Sequence, residues 1–292
     1  MQANTDWYRI FMHTAKLGNL TKAAQDLHIT QPSVSYAIKQ LEAQLEVKLF
    51  DRLSKGVKLT PEGAAVLEYA EKSFAILQQG EAKLLALKQM SAGELKIGAS
   101  GPVIKHLLLP LLDSFQAEYP AVRIRLLQGK TADIRQRLKA GIIDIGFVHL
   151  PFSDPELTVQ HVTDIQECFV VGTAYQHLSG QTITVEQLAD TPLLLLSEGS
   201  STRMFVDQWF LSQGIKAEAD MELSSMDMLV ELAIRGYGAA FVTQTFIQEL
   251  LNDAKLFALK PSETVPIRSI GLAFKRETSL SIAAKRFVEL LF

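Results

Sequence analysis

The stretch that decides the reading is residues 20–42, LTKAAQDLHITQPSVSYAIKQLE. Two short helices fit it, separated at His28-Ile29. Thr21 opens the first, which runs through Leu27 and turns Ala23, Ala24 and Leu27 inward. Ala24 supplies the small side chain that two steeply crossing helices need where they touch. Thr30 is a good N-cap for the second, and Pro32 falls in its first turn, where a missing N–H costs nothing. Val34, Ile38, Leu41 and Leu45 then recur at helical spacing and form one buried face. The opposite face carries Pro32, Ser33, Tyr36, Lys39 and Gln40, with Gln31 and Ser35 on its flanks. That face is polar, rich in hydrogen-bonding groups and poor in negative charge. A helix that enters a major groove and reads bases with its N-terminal residues needs that character.

Working outward, residues 7–16 read as a helix with an apolar stripe of Trp7, Ile10, Phe11 and Ala15, ended by Gly18-Asn19. Downstream, Leu49-Phe50-Asp51-Arg52 and residues 53–59 predict a tight hairpin around Lys55-Gly56. This is a wing whose Arg52, Lys55 and Lys58 can reach phosphates. Taken singly, each of these lysines reads as a solvated surface charge; their place beside a helix-turn-helix makes them contact candidates. Residues 1–60 hold eight Lys/Arg against five Asp/Glu, a net of +3, which leaves −6 for the rest of a chain whose overall charge is −3. A slightly basic head on an acidic body suits a nucleic-acid-binding module attached to something else.

The run 20–42, followed in order by Leu49-Phe50-Asp51-Arg52 and Leu59-Thr60-Pro61-Glu62-Gly63, resembles the LysR-type transcriptional regulators. The resemblance implies that Gln31, Ser33, Ser35 and Tyr36 face base edges or nearby phosphates, and that Thr30, Arg52 and Lys55 hold the DNA backbone. With Thr21, Pro32 and Lys39 these complete the candidate DNA-binding set on double-stranded DNA. The family's recognition positions vary, so no operator sequence follows.

Thr60 caps and Pro61 starts a long helix running to about Met90, with Leu67, Ala70, Phe74 and Leu77 on one stripe and Glu81 interrupting it before Leu84. Roughly 30 residues at 1.5 Å each span about 45 Å. A small head cannot cover such a stripe, so a second copy of the chain is the expected surface, giving a dimer through paired helices. The alternative is a core helix of one globular domain. The resulting plan is a winged helix-turn-helix over 1–60, a linker and dimerisation helix over 61–92 with a flexible Ser91-Ala92-Gly93 joint, and an effector-binding domain over 93–292.

In that last part strands and helices alternate. Strands are expected at 94–98, 122–127 and 144–148, with helices at about 103–118 and 133–140. A second set of strands falls at 167–171, 193–196, 221–223 and 239–242, with helices from about 201 and over 226–235. A strand at 267–274 and a helix at 281–291 return to the first set. This predicts mostly parallel α/β sheets: subdomain I over about 93–163 and 267–292, subdomain II over about 164–266, and a cleft between them. The arrangement resembles the family's effector domain, two Rossmann-like halves of the type 2 periplasmic-binding-protein kind.

Ligands in open α/β sheets lie beyond the carboxyl ends of strands, where helix starts offer free N–H groups. Three segments meet that test: Ala99-Ser100-Gly101-Pro102, Gly129-Lys130-Thr131, and the run 197–203, SEGSSTR. Each is ordinary N-capping if taken alone; their matched places in both halves favour a site for a small anionic group. The resemblance implies that Ser100 and Thr131 line an effector pocket and that the segment at Gly199 to Thr202 closes it, which adds Ser200 and Thr202; Gly101 is a candidate from the first of the three segments. Arg203 either meets an anionic ligand or forms a salt bridge within its own helix. Phe147 and His149 are candidates for the cleft wall, although a histidine there is more often packed than a ligand contact. Gly236-Tyr237-Gly238 resembles the family's glycine turn, while Thr243 stands where many relatives carry proline.

No HExxH, Walker loop, GxSxG or paired-cysteine zinc motif is present, and the six histidines show no metal-ligand pairing on one helix. An enzyme is therefore not expected, and neither is a cofactor beyond the effector. The single Cys168 excludes an intramolecular disulfide and reads as a buried thiol rather than a redox sensor. There is no apolar run of roughly 18 residues and no secretory leader pattern, so a membrane partner is not expected and the cytoplasm is the expected compartment. A periplasmic-type binding protein without transcriptional role is the alternative that the body alone would permit. The resemblance further implies a homo-oligomer, a tetramer, in which ligand changes the angle between subdomains and so the presentation of the DNA heads.

Overall fold

A computed structural model of the chain describes residues 4–292; residues 1–3, counted above with the head, lie outside the described part. The chain divides into two compact units, Met1–Ala86 and Leu87–Phe292.

The first unit is built from α1 (Thr5–Leu17), α2 (Leu20–Asp26), α3 (Gln31–Leu45), the hairpin of β1 (Phe50–Leu53) and β2 (Gly56–Leu59), and α4 (Pro61–Lys88), which runs on past Ala86. The inward faces read from the sequence meet as one core around Phe11, Ala23, Ala24, Val34, Ile38, Leu41 and Leu49. Helix starts are fixed by short polar side chains. Asn4 accepts from the backbone N–H groups of Asp6 and Trp7, and Thr30 accepts from Ser33 N–H. Helix α2 starts at Leu20, one residue before the expected Thr21, and Asn19 is its cap, accepting from Thr21 and Lys22 N–H at 2.9 and 3.1 Å. Gly18 closes α1 in the left-handed region at φ 60°. Along α4 the predicted stripe is only partly covered: Ala70 is buried, Leu67 and Phe74 are half-buried, and Leu77 is 55% exposed.

The second unit begins with β3 (Glu94–Ala99), α5 (Gly101–Val103), a π turn over Ile104–Leu108 and α6 (Leu109–Glu118). The helix expected over 103–118 is thus interrupted. Pro110 in the first turn of α6 has no N–H to continue the α ladder, and the extra residue per turn absorbs the mismatch. Then follow β4 (Arg123–Gln128), α7 (Thr131–Lys139), β5 (Ile145–Leu150) and β6 (Leu157–Ile165). The chain crosses into β7 (Glu167–Val171), β8 (Thr182–Ile183), α8 (Val185–Ala189), β9 (Leu193–Leu196), α9 (Ser201–Ser212), β10 (Met221–Leu223), α10 (Met226–Ile234), β11 (Ala239–Thr243), α11 (Gln248–Asn252), β12 (Phe257–Ala258) and β13 (Lys260–Pro261). It returns through β14 (Arg268–Lys275) and α12 (Ile282–Leu291).

Two five-stranded sheets result, β4-β3-β5-β14-β6 and β10-β9-β11-β7-β12, each the centre of one lobe. Their apolar cores gather around Leu95, Ile97, Phe115, Phe147 and Phe287 in the first lobe, and around Phe169, Leu193, Phe210 and Phe241 in the second. The expectation of mostly parallel sheets holds for β4-β3-β5 and β10-β9-β11, where helices make the crossovers. It is corrected elsewhere: β14 enters from the other lobe and runs antiparallel to both β5 and β6, and β7 runs antiparallel to β11. Strand β6 was not foreseen. Its sequence, LTVQHVTDI, mixes polar and apolar residues without clean alternation, and its pairing shifts register beside Gly271.

Candidate functional site

In the first unit, α3 presents Gln31, Pro32 and Ser33 at its exposed start, and Tyr36 stands 61% exposed one turn on. Thr30 Oγ1 lies 2.8 Å from Ser33 Oγ, so the cap and the first exposed hydroxyl of the helix are held together. Ser35, Lys39 and Arg52 meet around one groove of about 180 Å³ between α3 and the wing. Lys55 sits at the hairpin turn and Thr21 in the exposed first turn of α2. Among the described residues, Lys39, Arg52, Lys55 and Lys58 have no carboxylate partner, whereas Lys48 is paired with Glu42 at 3.1 Å. The wing tip is fixed by backbone. Val57 N–H donates to Gly18 C=O at 2.9 Å, and Gly56, at φ 114°, approaches so closely that a Cβ there would lie 2.3 Å from the same oxygen. Free cations on a rigid hairpin beside a polar helix face make a surface suited to phosphates and base edges.

In the second unit, a cavity of about 340 Å³ opens between the lobes at the carboxyl ends of β3, β4, β5 and β9. Of the predicted residues, it gathers Ser100, Gly101, Thr131, Phe147, Ser200 and Thr202, together with Lys130 and His149. Ser200 caps α9 by accepting from Arg203 N–H at 3.0 Å. Ser100 starts α5 without using its side chain as a cap, and its Oγ is buried with no hydrogen-bond partner. Ile134, Leu196, Met226 and Phe246 complete an apolar wall.

Arg203 is the correction. Its Nε donates to both Asp207 carboxylate oxygens at 2.8 and 3.0 Å, and its Nη1 donates to Glu222 at 2.5 Å and to Leu196 C=O at 3.2 Å. It does not line the cavity. The i,i+4 spacing to Asp207 on α9 and the neighbouring β10 carboxylate pull the guanidinium away from the cleft. The salt-bridge alternative is the one the structure adopts.

Sequence reasoning missed the polar ties across the cleft. Ser201 Oγ and His149 Nδ1 are 2.9 Å apart. Lys130 Nζ donates to Glu198 C=O at 2.5 Å. Lys105 meets Asp227 at 2.7 Å, and His106 stacks on Phe246 with centroids 4.3 Å apart. Behind the cavity, Arg268 Nη1 donates to Glu167 Oε1 at 3.0 Å and to Thr202 Oγ1 at 3.3 Å, with Thr243 Oγ1 donating to the second Glu167 oxygen. Arg268 and Glu167 sit where the two connecting strands pass between lobes. Only the paired ends of those strands bring them together, 101 residues apart in sequence, so no local signal existed. Thr243 has its role here as a donor in this network.

The electrostatics follow from burial. The His149 imidazole is pushed down to about 3, first by burial and then by the nearby Arg268 charge, so it is neutral. Burial raises the Glu167 carboxyl against the opposing pull of Arg268, and lowers Arg268 in turn. Cys168 is pushed up to about 12 by burial and the neighbouring Glu167, which leaves a protonated thiol rather than a reactive thiolate. Of the cavity-lining residues, Lys130 carries the positive charge and Asp133 the negative one.

A winged helix-turn-helix with an exposed polar helix face, on a chain that also holds a two-lobed body with a polar interlobe cavity, is the architecture of a DNA-binding regulator. Comparison with known proteins gives the family. The profile described as "Bacterial regulatory helix-turn-helix protein, lysR family" matches residues 5–64, and that described as "LysR substrate binding domain" matches residues 88–292. The chain belongs to the LysR family of transcriptional regulators, which are not enzymes. It is 28% identical over 289 residues to the HTH-type transcriptional activator CmpR of Synechocystis, covering 98% of this chain and 93% of that protein. It is 31% identical over 253 residues to a probable RuBisCO transcriptional regulator of Cyanidioschyzon merolae, covering 85% and 84%. Among solved structures, a full-length OxyR variant from Pseudomonas aeruginosa shares the fold at TM-score 0.80 and 22% identity, over 99% of this chain and 98% of that one. Full-length CbnR in complex with its target DNA shares it at TM-score 0.62 and 24% identity, again over 99% and 98%. No helix among the described residues is long and apolar enough to cross a membrane.

Proposed function

We propose that this regulator is controlled by a small effector with one anionic group and a partly apolar body, bound in the interlobe cavity. The observation that carries this reading is the buried, unpartnered Ser100 hydroxyl in a cavity where helix starts from both lobes converge. Such a hydroxyl costs stability unless a ligand completes it. Thr131 and Ser200 stand at the starts of α7 and α9, where free N–H groups favour an anion. Lys130 balanced by Asp133, beside a neutral His149, suits one negative charge better than several. Phe147, Ile134, Met226 and Phe246 offer an apolar surface to the remainder of the molecule.

The reading includes self-association through the uncovered stripe of α4, a tetramer by family resemblance, and work in the cytoplasm. It invokes no cofactor or metal. Thr21, Thr30, Gln31, Pro32, Ser33, Ser35, Tyr36, Lys39, Arg52 and Lys55 supply the DNA contacts. Effector binding changes the lobe angle because ligand and interlobe ties compete for the same groups: Lys130, Thr202 and Ser201. The test is a thermal-shift screen of the full chain against small carboxylates and other metabolites, repeated on Ser100→Phe. A stabilising compound that Ser100→Phe no longer detects supports the reading. A compound that stabilises both proteins equally places its binding elsewhere.

A further inference from the structure

We propose that Glu42 is a positioning residue for DNA binding, holding the base of the wing from inside the recognition helix. Glu42 lies near the end of α3 on its inward side and is 9% exposed. One carboxylate oxygen accepts from the backbone N–H groups of Leu49 and Phe50, at 2.9 and 3.3 Å. The other meets Lys48 Nζ at 3.1 Å. Phe50 is the first residue of β1, and Arg52 stands two positions along the same strand. The segment at 48–50 is held from its other side by Thr60, whose Oγ1 donates to Lys48 C=O at 2.8 Å and whose N–H donates to Leu49 C=O at 3.1 Å. Gly63 N–H donates back to Thr60 Oγ1 at 2.9 Å, and a Cβ on Gly63 would lie 2.2 Å from Leu49 C=O.

The chemistry of this junction calls for an acceptor. Leu49 N–H and the N–H of the first β1 residue have a carboxylate in reach, and hydrogen bonds to an ionised oxygen are short and strong. An apolar side chain of similar size would fill the space but leave those donors unpaired. The carboxylate therefore fixes where the wing cations stand relative to Gln31, Ser33 and Tyr36 on the same helix. Without it, β1 keeps its pairing with β2 and the tip stays tied to Gly18, while the base of the hairpin shifts against α3 and carries Arg52 with it. The cost falls on simultaneous phosphate contact by Arg52, Lys55 and Lys58, not on the reading residues themselves.

The full chain is tested on a fluorescent mixed-sequence duplex of about 40 base pairs, with binding measured across a salt series. Glu42→Gln retains the oxygen that accepts from the backbone and is expected to bind within about threefold of the native chain with the same salt slope. Glu42→Ala, with its circular dichroism unchanged, is expected to bind about tenfold more weakly at low salt, with a slope shallower by about one to two phosphate contacts. A native slope in Glu42→Ala overturns the proposal, and so does a Glu42→Gln that falls as far as Glu42→Ala. Should Glu42→Ala not fold, Glu42→Asp replaces it under the same two criteria, since it keeps the charge but draws the carboxylate back by one methylene.

Discussion

The two units display their functional groups in opposite ways. On the head, the groups stand exposed along a helix face and a shallow groove: hydroxyls and amides at the start of α3, and wing cations without carboxylate partners among the described residues. In the body, they line a concavity, and most already have partners. Lys130, Ser201, Thr202 and Arg268 each hold a bond across or behind the cleft. An exposed face needs only a firm base, because whatever binds it supplies the opposite charges. A concavity lined with polar groups must satisfy them internally to keep its shape, so they bond to one another across it.

This difference can be broken first at Arg268. Removing one member of a buried ion pair leaves the other charge stranded, at a cost of about 3–5 kcal/mol. Arg268→Ala should therefore lower the unfolding free energy of the body by roughly that amount, read by denaturant titration, while duplex binding at permissive temperature stays near native. A loss of under about 1 kcal/mol would show that the pair is not tightly coupled to the fold. The head can be broken separately. Arg52→Ala combined with Lys55→Ala should weaken duplex binding about tenfold to a hundredfold and make its salt slope shallower by about two. Ligand-induced stabilisation of the body should persist. An unchanged slope would remove both residues from the phosphate contacts.

A smaller effect sharpens the contrast through pH. His149 is neutral in the folded chain because its pKa is depressed from 6.5 to about 3. The unfolded chain takes up a proton on this group below pH 6.5, so the stability contributed is complete above 6.5 and declines as pH falls toward 3. The slope is at most about 1.4 kcal/mol per pH unit. Glu167, raised by burial, acts in the opposite sense, so the measurement is the difference between the native chain and His149→Gln in denaturant titrations from pH 7 to pH 5. A zero difference would mean that the imidazole is solvated.

The same contrast explains what the sequence could reveal. The head is local: caps, apolar spacing and turn residues of α1 to β2 all fall within a few residues of what they control, so its elements and the exposed polar face from Thr30 to Tyr36 were legible. Helix α2 starts one residue before the expected Thr21, because Asn19 beside the Gly18 turn caps it rather than merely ending α1. In the body, strand ends marked Ser100, Thr131 and Ser200 because small polar residues after a strand have a local signature. Arg203 bore the same signature, but Asp207 and Glu222 decided its direction. His149 with Ser201, and Arg268 with Glu167, become neighbours only after two lobes have folded and met. Strand β6 was hidden because an edge strand with polar residues on both faces carries little periodicity.

The place of β14 has a consequence for how the protein is made. It lies between β5 and β6 in the first lobe, yet the ribosome delivers it only after the whole of the second lobe. Domains generally fold as units as they emerge. During synthesis the head can close early and the second lobe next, while β5 and β6 wait with open edges for their central strand. The interlobe cleft is thus the last part of the molecule to exist, and a nascent chain can complete its helix-turn-helix well before that cleft has closed around its lining residues.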